Sequence, residues 1–200
     1  MREKLLIIGA GGHAKSVIDV IETSYNWEII GLIGLKNDLN KNLLDYKILG
    51  TDDELEILKK DCINCFLGIG QIKSSETRIR IVKKLKNLGF KLPNIVSSRA
   101  IVSKYAEIKS GTFVGHGAVI NAGAKIGENC IINSNALVEH DTNIGDFSHI
   151  STGALINGGV NIGSHSFIGS GTIIREGIKI PRETILGAGK TILHFPPKDI

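Results

Sequence analysis

The sequence has no long apolar run. Nowhere do apolar residues approach the about 18–20 in succession that a membrane-crossing helix requires. The N-terminal stretch MREKLLIIGAGG places basic residues before an apolar run, but that run is short and leads into a glycine loop. We therefore interpret it as a first strand and not as a signal peptide, and we expect no membrane insertion.

Cysteine is scarce as well, with three residues in a chain of 200. An odd, small number of cysteines does not fit a disulfide framework and favours a reducing compartment. Cys62 and Cys65 form an isolated CxxC that has no second pair and leads into an apolar strand. This arrangement favours packing in a core over a metal or redox site. The sequence thus predicts a cytoplasmic protein with no metal.

Neither sign of charge dominates, since 24 Lys and Arg stand against 20 Asp and Glu, a formal net charge of +4. The excess is concentrated in RIRIVKKLKNLG (78–89), where apolar residues at helical spacing predict an amphipathic helix with a solvated basic face. A nucleic-acid-binding surface would combine a stronger basic bias with interleaved aromatic residues, and aromatics make up only 5% of the chain. We expect no nucleic-acid partner.

A six-residue repeat fills the second half of the chain. From residue 100 the sequence divides into blocks of six without an insertion, from AIVSKY (100–105) to KTILHF (190–195). The first position of a block is nearly always small, many blocks end in glycine, and such hexapeptide repeats are typical of a parallel β-helix. The third position is always Ile, Val or Leu, at Val102, Ile108, Val114, Ile120, Ile126, Ile132, Val138, Ile144, Ile150, Ile156, Ile162, Ile168, Ile174, Ile180, Leu186 and Ile192. We predict that these side chains point inward and stack on their equivalents eighteen residues later.

The first half of the chain lacks this repeat and has a pattern of alternating strands and helices. The stretch LLIIGAGGHAKSVIDVIE predicts a strand, a glycine loop and a helix, and the alternation continues to about residue 92. We expect a Rossmann-like βαβαβ unit over residues 1–92 and a β-helix over residues 93–200. Gly9, Gly11 and Ala14 satisfy the loose dinucleotide fingerprint, but Gly34 and Leu35 stand where an acid at the end of the second strand belongs. The loop therefore favours a sugar or nucleotide-sugar substrate over NAD.

This arrangement resembles the NeuD/PglD-type bacterial sugar acetyltransferases, which are hexapeptide-repeat acyltransferases. The motifs that carry the resemblance are GAGGHAKSVID (9–19), FLGIG (66–70), VEHDTNIGDFSHIS (138–151) and FIGSGTII (167–174). The resemblance implies a left-handed β-helix, acetyl-CoA as cosubstrate, a homotrimer and a role in bacterial surface glycan biosynthesis. It also implies that the acceptor is either the amino group of a nucleotide-linked amino sugar or a hydroxyl of a sialic acid. A trimeric sugar-binding scaffold without activity is the non-enzymatic alternative.

The resemblance also assigns roles to residues. His140 matches the general base and Asp141 the acid that orients it, although relatives often carry Glu at that position. Acetyl-CoA would contact His149, Gly158, Ser170 and Ala188, and the sugar would contact Gly11, Gly12, His13, Gly70 and Gln71. An imidazole suits this chemistry because its pKa near 6.5 lets it accept a proton at neutral pH.

Two other kinds of functional site do not fit the sequence, and two features of the chain depart from the family pattern. A zinc-dependent carbonic anhydrase also uses this kind of β-helix, but no two histidines here are five residues apart. The stretch GAGKT (187–191) lacks the first glycine of a phosphate loop. The missing acid at Gly34 and Leu35 puts a UDP-linked substrate in doubt, and the tail HFPPKDI is expected to be shorter than the family's segment over the CoA adenine.

Overall fold

The structure is a computed structural model that describes residues 2–24 and 26–195. The last residues of the predicted short tail, 196–200, lie outside the described part. The chain forms two compact units, the first from Met1–Gly70 and Glu76–Ile95 and the second from Gln71–Ser75 and Val96–Ile200. The sequence-based boundary after residue 92 assigns the segment 71–75 to the first domain, whereas this segment packs with the second unit.

The first unit contains a mainly parallel five-stranded sheet with strand order β3-β4-β2-β1-β5. Its elements are β1 (Glu3–Ile8), α1 (Gly12–Ser24), β2 (Trp27–Ile33), a 3-10 helix (Lys36–Asp38), β3 (Asn42–Leu43), β4 (Tyr46–Gly50), α2 (Leu55–Leu58), β5 (Cys65–Leu67) and α3 (Glu76–Asn87). The Rossmann-like alternation of strands and helices is confirmed. The antiparallel pair β3–β4 was not anticipated, because β3 is only two residues long and leaves no periodic signal.

The core of the first unit follows from its apolar runs. Strand β1 lies between β2 and β5, and its residues Leu5 to Ile8 are buried, which explains why the stretch is continuously apolar rather than alternating. Cys62 and Cys65 are free thiols in this core, as expected from their apolar setting, and burial raises the pKa of both. Arg78, counted above as part of the basic face of α3, is buried instead and donates a hydrogen bond to the carbonyl of Ile69.

The second unit is a left-handed parallel β-helix with three faces, each a sheet of two-residue strands. Face I contains β7 (Ile101–Val102), β10 (Val119–Ile120), β13 (Leu137–Val138), β16 (Leu155–Ile156), β19 (Ile173–Ile174) and β22 (Thr191–Ile192). Face II contains β8 (Glu107–Ile108), β11 (Lys125–Ile126), β14 (Asn143–Ile144), β17 (Asn161–Ile162) and β20 (Lys179–Ile180). Face III contains β6 (Ile95–Val96), β9 (Phe113–Val114), β12 (Ile131–Ile132), β15 (His149–Ile150), β18 (Phe167–Ile168) and β21 (Ile185–Leu186). The expected fold class is confirmed.

The third-position side chains form the core of the β-helix. Residues from Val114 to Ile192 at this position are buried, and Val102 and Ile108 in the first coil are partly buried. Ile126, Ile144 and Ile162 pair in register along face II, which is the stacking that the repeat predicts. Polar residues at the small first position satisfy their hydroxyls internally, as where Thr142 donates to the carbonyl of Asn157.

The turns explain the glycines of the repeat in two ways. The sixth position of most blocks has a positive φ, which glycine adopts without strain, as at Gly123 and Gly159. A fourth-position glycine such as Gly145 has ordinary φ but faces the backbone of the next coil, because an added Cβ would lie 2.4 Å from the nitrogen of Ser164. The first type permits the turn, and the second permits the close stacking of coils.

Candidate active site

His140 lies on the exposed turn between β13 and β14, where face I meets face II. Its side chain is 65% exposed, and its Nδ1 lies 2.9 Å from Oδ2 of Asp141. The backbone N–H of His140 donates to Oε2 of Glu139 at 3.2 Å. A neutral imidazole that donates Nδ1–H to the carboxylate keeps a lone pair on Nε2, so the turn presents a proton acceptor to solvent.

The carboxylate of Asp141 also sets the charge preference of the imidazole. Its hydrogen bond raises the pKa of His140 above the ordinary value of 6.5; desolvation opposes this effect, and the charges of Asp141 and Glu139 add to it. The imidazolium that forms when Nε2 takes a proton is therefore stabilised. The pair has the geometry of a base with its orienting acid.

Asp141 occupies the sixth position of its block, where φ is +58°. Short Asp and Asn side chains tolerate this left-handed conformation better than longer ones, which gives a local reason for Asp in this chain. In the preceding coil, an added Cβ at Gly123 would lie 2.5 Å from Oδ1 of Asp141. The lack of a side chain at Gly123 thus makes room for the carboxylate.

Gly158 lies beside the imidazole one coil further on. A Cβ added at Gly158 would lie 2.7 Å from Nε2 and 2.8 Å from Cε1 of His140. The coils are joined here by a hydrogen bond from the backbone N–H of Gly159 to the carbonyl of His140, at 2.9 Å. His140, Asp141 and Gly158, which the sequence assigned to catalysis and cofactor binding, thus form one cluster.

His149 lies apart from this cluster on face III and is 8% exposed. Its Nδ1 donates to the backbone carbonyl of Gln71 at 2.6 Å, and its ring packs edge-on against Phe167 with centroids 5.2 Å apart. Its Nε2 lies 3.4 Å from the side-chain amide of Asn133. His149 and Gln71, expected to contact acetyl-CoA and the sugar respectively, therefore bind each other.

The segment 71–75 has a second imidazole contact that the sequence did not indicate. Ser75 Oγ lies 3.1 Å from Nδ1 of His165, and His165 stacks on Phe147 with ring centroids 5.7 Å apart. No role for His165 could be predicted from the sequence, since a contact between residues 90 positions apart leaves no local pattern. His116 likewise bonds to Ser97 Oγ, at 2.7 Å.

Ser170 and Ala188 occupy another edge of the β-helix, where face III meets face I. They hold the same position of their blocks eighteen residues apart, and both are exposed. Ser170 Oγ lies 2.9 Å from Oγ of Ser151, and an added Cβ at Gly169 would lie 2.5 Å from the nitrogen of Ala188. The two edges that flank face I therefore carry the predicted base and part of the predicted cofactor site.

A cavity of about 510 Å³ in the first unit gathers most of the predicted sugar-binding residues. Gly11, Gly12, His13 and Gly70 line it, and an added Cβ at Gly70 would lie 3.5 Å from Cβ of His13. Two carboxylates that the sequence analysis did not single out, Asp38 and Asp52, also line it. The cavity opens at the carboxyl ends of the parallel strands, where ligands bind in open α/β sheets.

Across residues 2–24 and 26–195, no group of three or more His, Cys, Asp or Glu side chains is arranged to hold a metal ion. Within the same residues, no helix combines the length and apolar character needed to cross a bilayer.

Family models match both halves of the chain. Residues 4–85 match the PglD N-terminal domain, and residues 105–140 and 123–158 match the bacterial transferase hexapeptide repeats. No curated protein sequence matches the chain.

Solved structures resemble the chain over nearly its full length. The acetyltransferase domain of PglB from Neisseria gonorrhoeae is 31% identical, covers 98% of this chain and 94% of its own, and superposes with a TM-score of 0.88. PerB from Caulobacter crescentus, in complex with CoA and GDP-perosamine, is 29% identical over 98% of this chain and 92% of its own, with a TM-score of 0.90. A histidine-to-asparagine variant of perosamine N-acetyltransferase from the same bacterium, also with CoA and GDP-perosamine, is 29% identical over 96% and 89%, with a TM-score of 0.89.

Proposed function

The chain belongs to the NeuD/PglD-type sugar acetyltransferases, and from this premise we propose that it transfers the acetyl group of acetyl-CoA to an amino group of a nucleotide-linked amino sugar. The observation that carries the proposal is the His140–Asp141 pair beside Gly158. Structures with CoA and GDP-perosamine among the similar proteins support an amine acceptor over the hydroxyl of a sialic acid. The reaction would serve bacterial surface glycan biosynthesis. Three free cysteines fit the reducing cytoplasm as its location.

His140 acts as the general base in this proposal. As the sugar nitrogen attacks the thioester carbonyl, Nε2 of His140 accepts the proton that the nitrogen must lose. Asp141 stabilises the resulting imidazolium through the bond to Nδ1. Collapse of the tetrahedral intermediate breaks the C–S bond, and the imidazolium returns a proton to the departing thiolate. The products are the acetamido sugar and CoA.

Face I supports assembly into a homotrimer. Five of its six outward residues are aliphatic, namely Ile101, Val119, Leu137, Leu155 and Ile173, and the sixth is Thr191 in the last strand. Ile101 is 68% and Ile173 38% exposed. The outward residues of face II are instead polar, namely Glu107, Lys125, Asn143, Asn161 and Lys179. An exposed aliphatic surface is typical of a subunit interface. Every copy of the chain carries the same surface, as a closed symmetric assembly requires.

A trimer built on face I would also complete the site. His140 lies at one border of face I, and Ser170 and Ala188 lie at the other, so packing three copies around an axis brings the base of one copy toward the cofactor edge of its neighbour. We propose that each acetyl-CoA lies in such a groove, with Gly158 next to the base. His149 keeps its proposed part in the cofactor site, with its ring held by the bond from Nδ1 to Gln71.

The test is a mass-spectrometric screen of acetyl transfer from acetyl-CoA to several acceptors. These are UDP-linked 4-amino sugars, GDP-perosamine, CMP-sialic acid and free sialic acids. The proposal expects a mass gain of one acetyl group on a nucleotide-linked amino sugar. Acetylation of a sialic acid alone would establish the hydroxyl alternative, and no turnover with any acceptor would favour a scaffold without activity.

A further inference from the structure

The cavity of the first unit has two ends that differ in chemistry. At one end, Gly11 precedes and Gly12 begins the thirteen-residue helix α1, and the space beside both residues is open, because no neighbouring side chain lies within 4 Å of a Cβ added there. Helix α1 has no acidic residue in its first turn, so the backbone N–H groups of that turn suit a phosphate. At the other end lie Asp38, which follows β2, and Asp52, which follows β4.

The strand order decides which part of a nucleotide lies at each end. The sheet reads β4-β2-β1-β5, so the connections from β1 lead to β2 on one side and later to β5 on the other. In such sheets the pyrophosphate lies at the first helix, and the ribose next to it lies over the second strand, where an acid at the end of the strand binds its hydroxyls. The carboxylates are therefore at the nucleoside end.

The end of β2 has little space for that acid in its usual position. A Cβ added at Gly34 would lie 3.0 Å from Cγ2 of Ile48, 3.2 Å from Cβ of Asp38 and 3.5 Å from Cβ of Ala10. The side chain of Asp38 thus begins within 3.2 Å of the point where a side chain at position 34 would begin. The 3-10 helix Lys36–Asp38 folds the chain back and returns a carboxylate to the strand end.

The carboxylate of Asp38 is held but not neutralised. Its Oδ2 accepts the backbone N–H of Leu35 at 3.3 Å, which fixes the side chain at the turn. Its Oδ1 has Lys41 Nζ at 3.9 Å, but the Lys41 side chain is 65% exposed, so this ion pair is weak. Asp52 has a similar exposed partner, Arg80 at 3.7 Å, and its backbone carbonyl accepts a hydrogen bond from the ammonium of Lys84, but it follows β4 rather than β2.

We propose that Asp38 replaces the missing strand-end acid and accepts hydrogen bonds from the ribose hydroxyls of the nucleotide-linked substrate. The inference rests on the proposed nucleotide-sugar acceptor and names the residue that recognises its ribose. It also removes the objection that Gly34 and Leu35 raised, because the carboxylate comes from the 3-10 helix rather than from the strand.

The experiment measures the binding of GDP, UDP and their 2′-deoxy forms to the full-length protein by titration calorimetry. One of the two diphosphates, GDP or UDP, is expected to bind the wild type. Its affinity should exceed that of its 2′-deoxy form by roughly 10–100-fold, which is the contribution of one hydrogen bond to a charged group. In Asp38→Asn this ratio should fall to roughly a few-fold, while the affinity for the 2′-deoxy form is retained, because a neutral amide forms the weaker bond. Asp53→Asn is the matched control, since Asp53 is 76% exposed and lies outside the cavity lining.

Each result has a distinct meaning. If the wild type and Asp38→Asn prefer the ribonucleotide equally, Asp38 does not recognise the ribose, although the proposed nucleotide substrate stands. If neither diphosphate binds the wild type, the nucleotide-linked acceptor and this inference both fail. Acetyl-CoA affinity and circular dichroism, unchanged in Asp38→Asn, show that a lost preference does not come from unfolding.

Discussion

Gly158→Ala tests whether the position of the His140 imidazole determines the rate. The new methyl would lie 2.7 Å from Nε2, whereas ordinary contact begins at 3.4 Å, so the ring must move by at least about 0.7 Å. The backbone of Gly158 is free to accept alanine, because its φ is not positive. The strain is therefore relieved by moving an exposed side chain and not by unfolding the coil.

The expected effect is on the chemical step. A displacement of about 1 Å at a reacting group lowers a rate by roughly 10²-fold, so kcat should fall by about that factor. Because Asp141 would no longer hold the displaced ring in its native geometry, the acid limb of the pH–rate profile should also move. The stability of the protein should change by less than about 1 kcal/mol, as is usual for exposed sites.

The assay follows release of the CoA thiol at saturating acetyl-CoA and acceptor. Gly187→Ala is the matched control, since it adds the same methyl to the β-helix where no atom lies within 4 Å. Its kcat should equal that of the wild type. A wild-type kcat in Gly158→Ala would refute the reasoning, because the ring could then be moved without consequence.

Two further predictions concern the pH dependence and the assembly. The raised pKa of His140 keeps the imidazole protonated, and therefore inactive as a base, up to a higher pH than an ordinary imidazole, so activity should rise as the pH passes through this pKa. Asp141→Asn should lower the pKa and move the acid limb of the kcat/KM profile to lower pH. An acid limb at the wild-type position would contradict the role of Asp141. Leu155→Lys places a charge on the outward side of face I and should convert the proposed trimer to monomers, as measured by light scattering, whereas Asn161→Lys on face II should leave the assembly unchanged. A trimeric Leu155→Lys protein would place the interface elsewhere.

The β-helix could be predicted because one period repeats along the chain. An aliphatic residue at the third position of every six-residue block, such as Ile144, indicates a buried column without any knowledge of the rest of the structure. The structural reason for the fourth-position glycines could not be predicted. Gly145 has no unusual φ, and the need for it arises only from the backbone of Ser164, nineteen residues away. A sequence period indicates that coils stack but not how closely.

The site was predictable only in part, because some contacts join distant parts of the chain. The His140–Asp141 pair is local, and neighbouring residues at a turn can be read from the sequence. The bond from His149 to Gln71 spans 78 positions and changes the surroundings of both residues. Asp38 was overlooked for a similar reason, since the 3-10 helix that returns it to Gly34 has no strong sequence signature.

The central claim, that His140 is the base of an acetyl transfer, is tested most directly by His140→Ala. Single-turnover rates with the best acceptor from the screen would be measured beside the dissociation constant of acetyl-CoA. The account predicts a rate lower by roughly 10²–10⁴-fold, the range for loss of a general base, with the dissociation constant unchanged. A His140→Ala protein that transfers acetyl at the wild-type rate would contradict it.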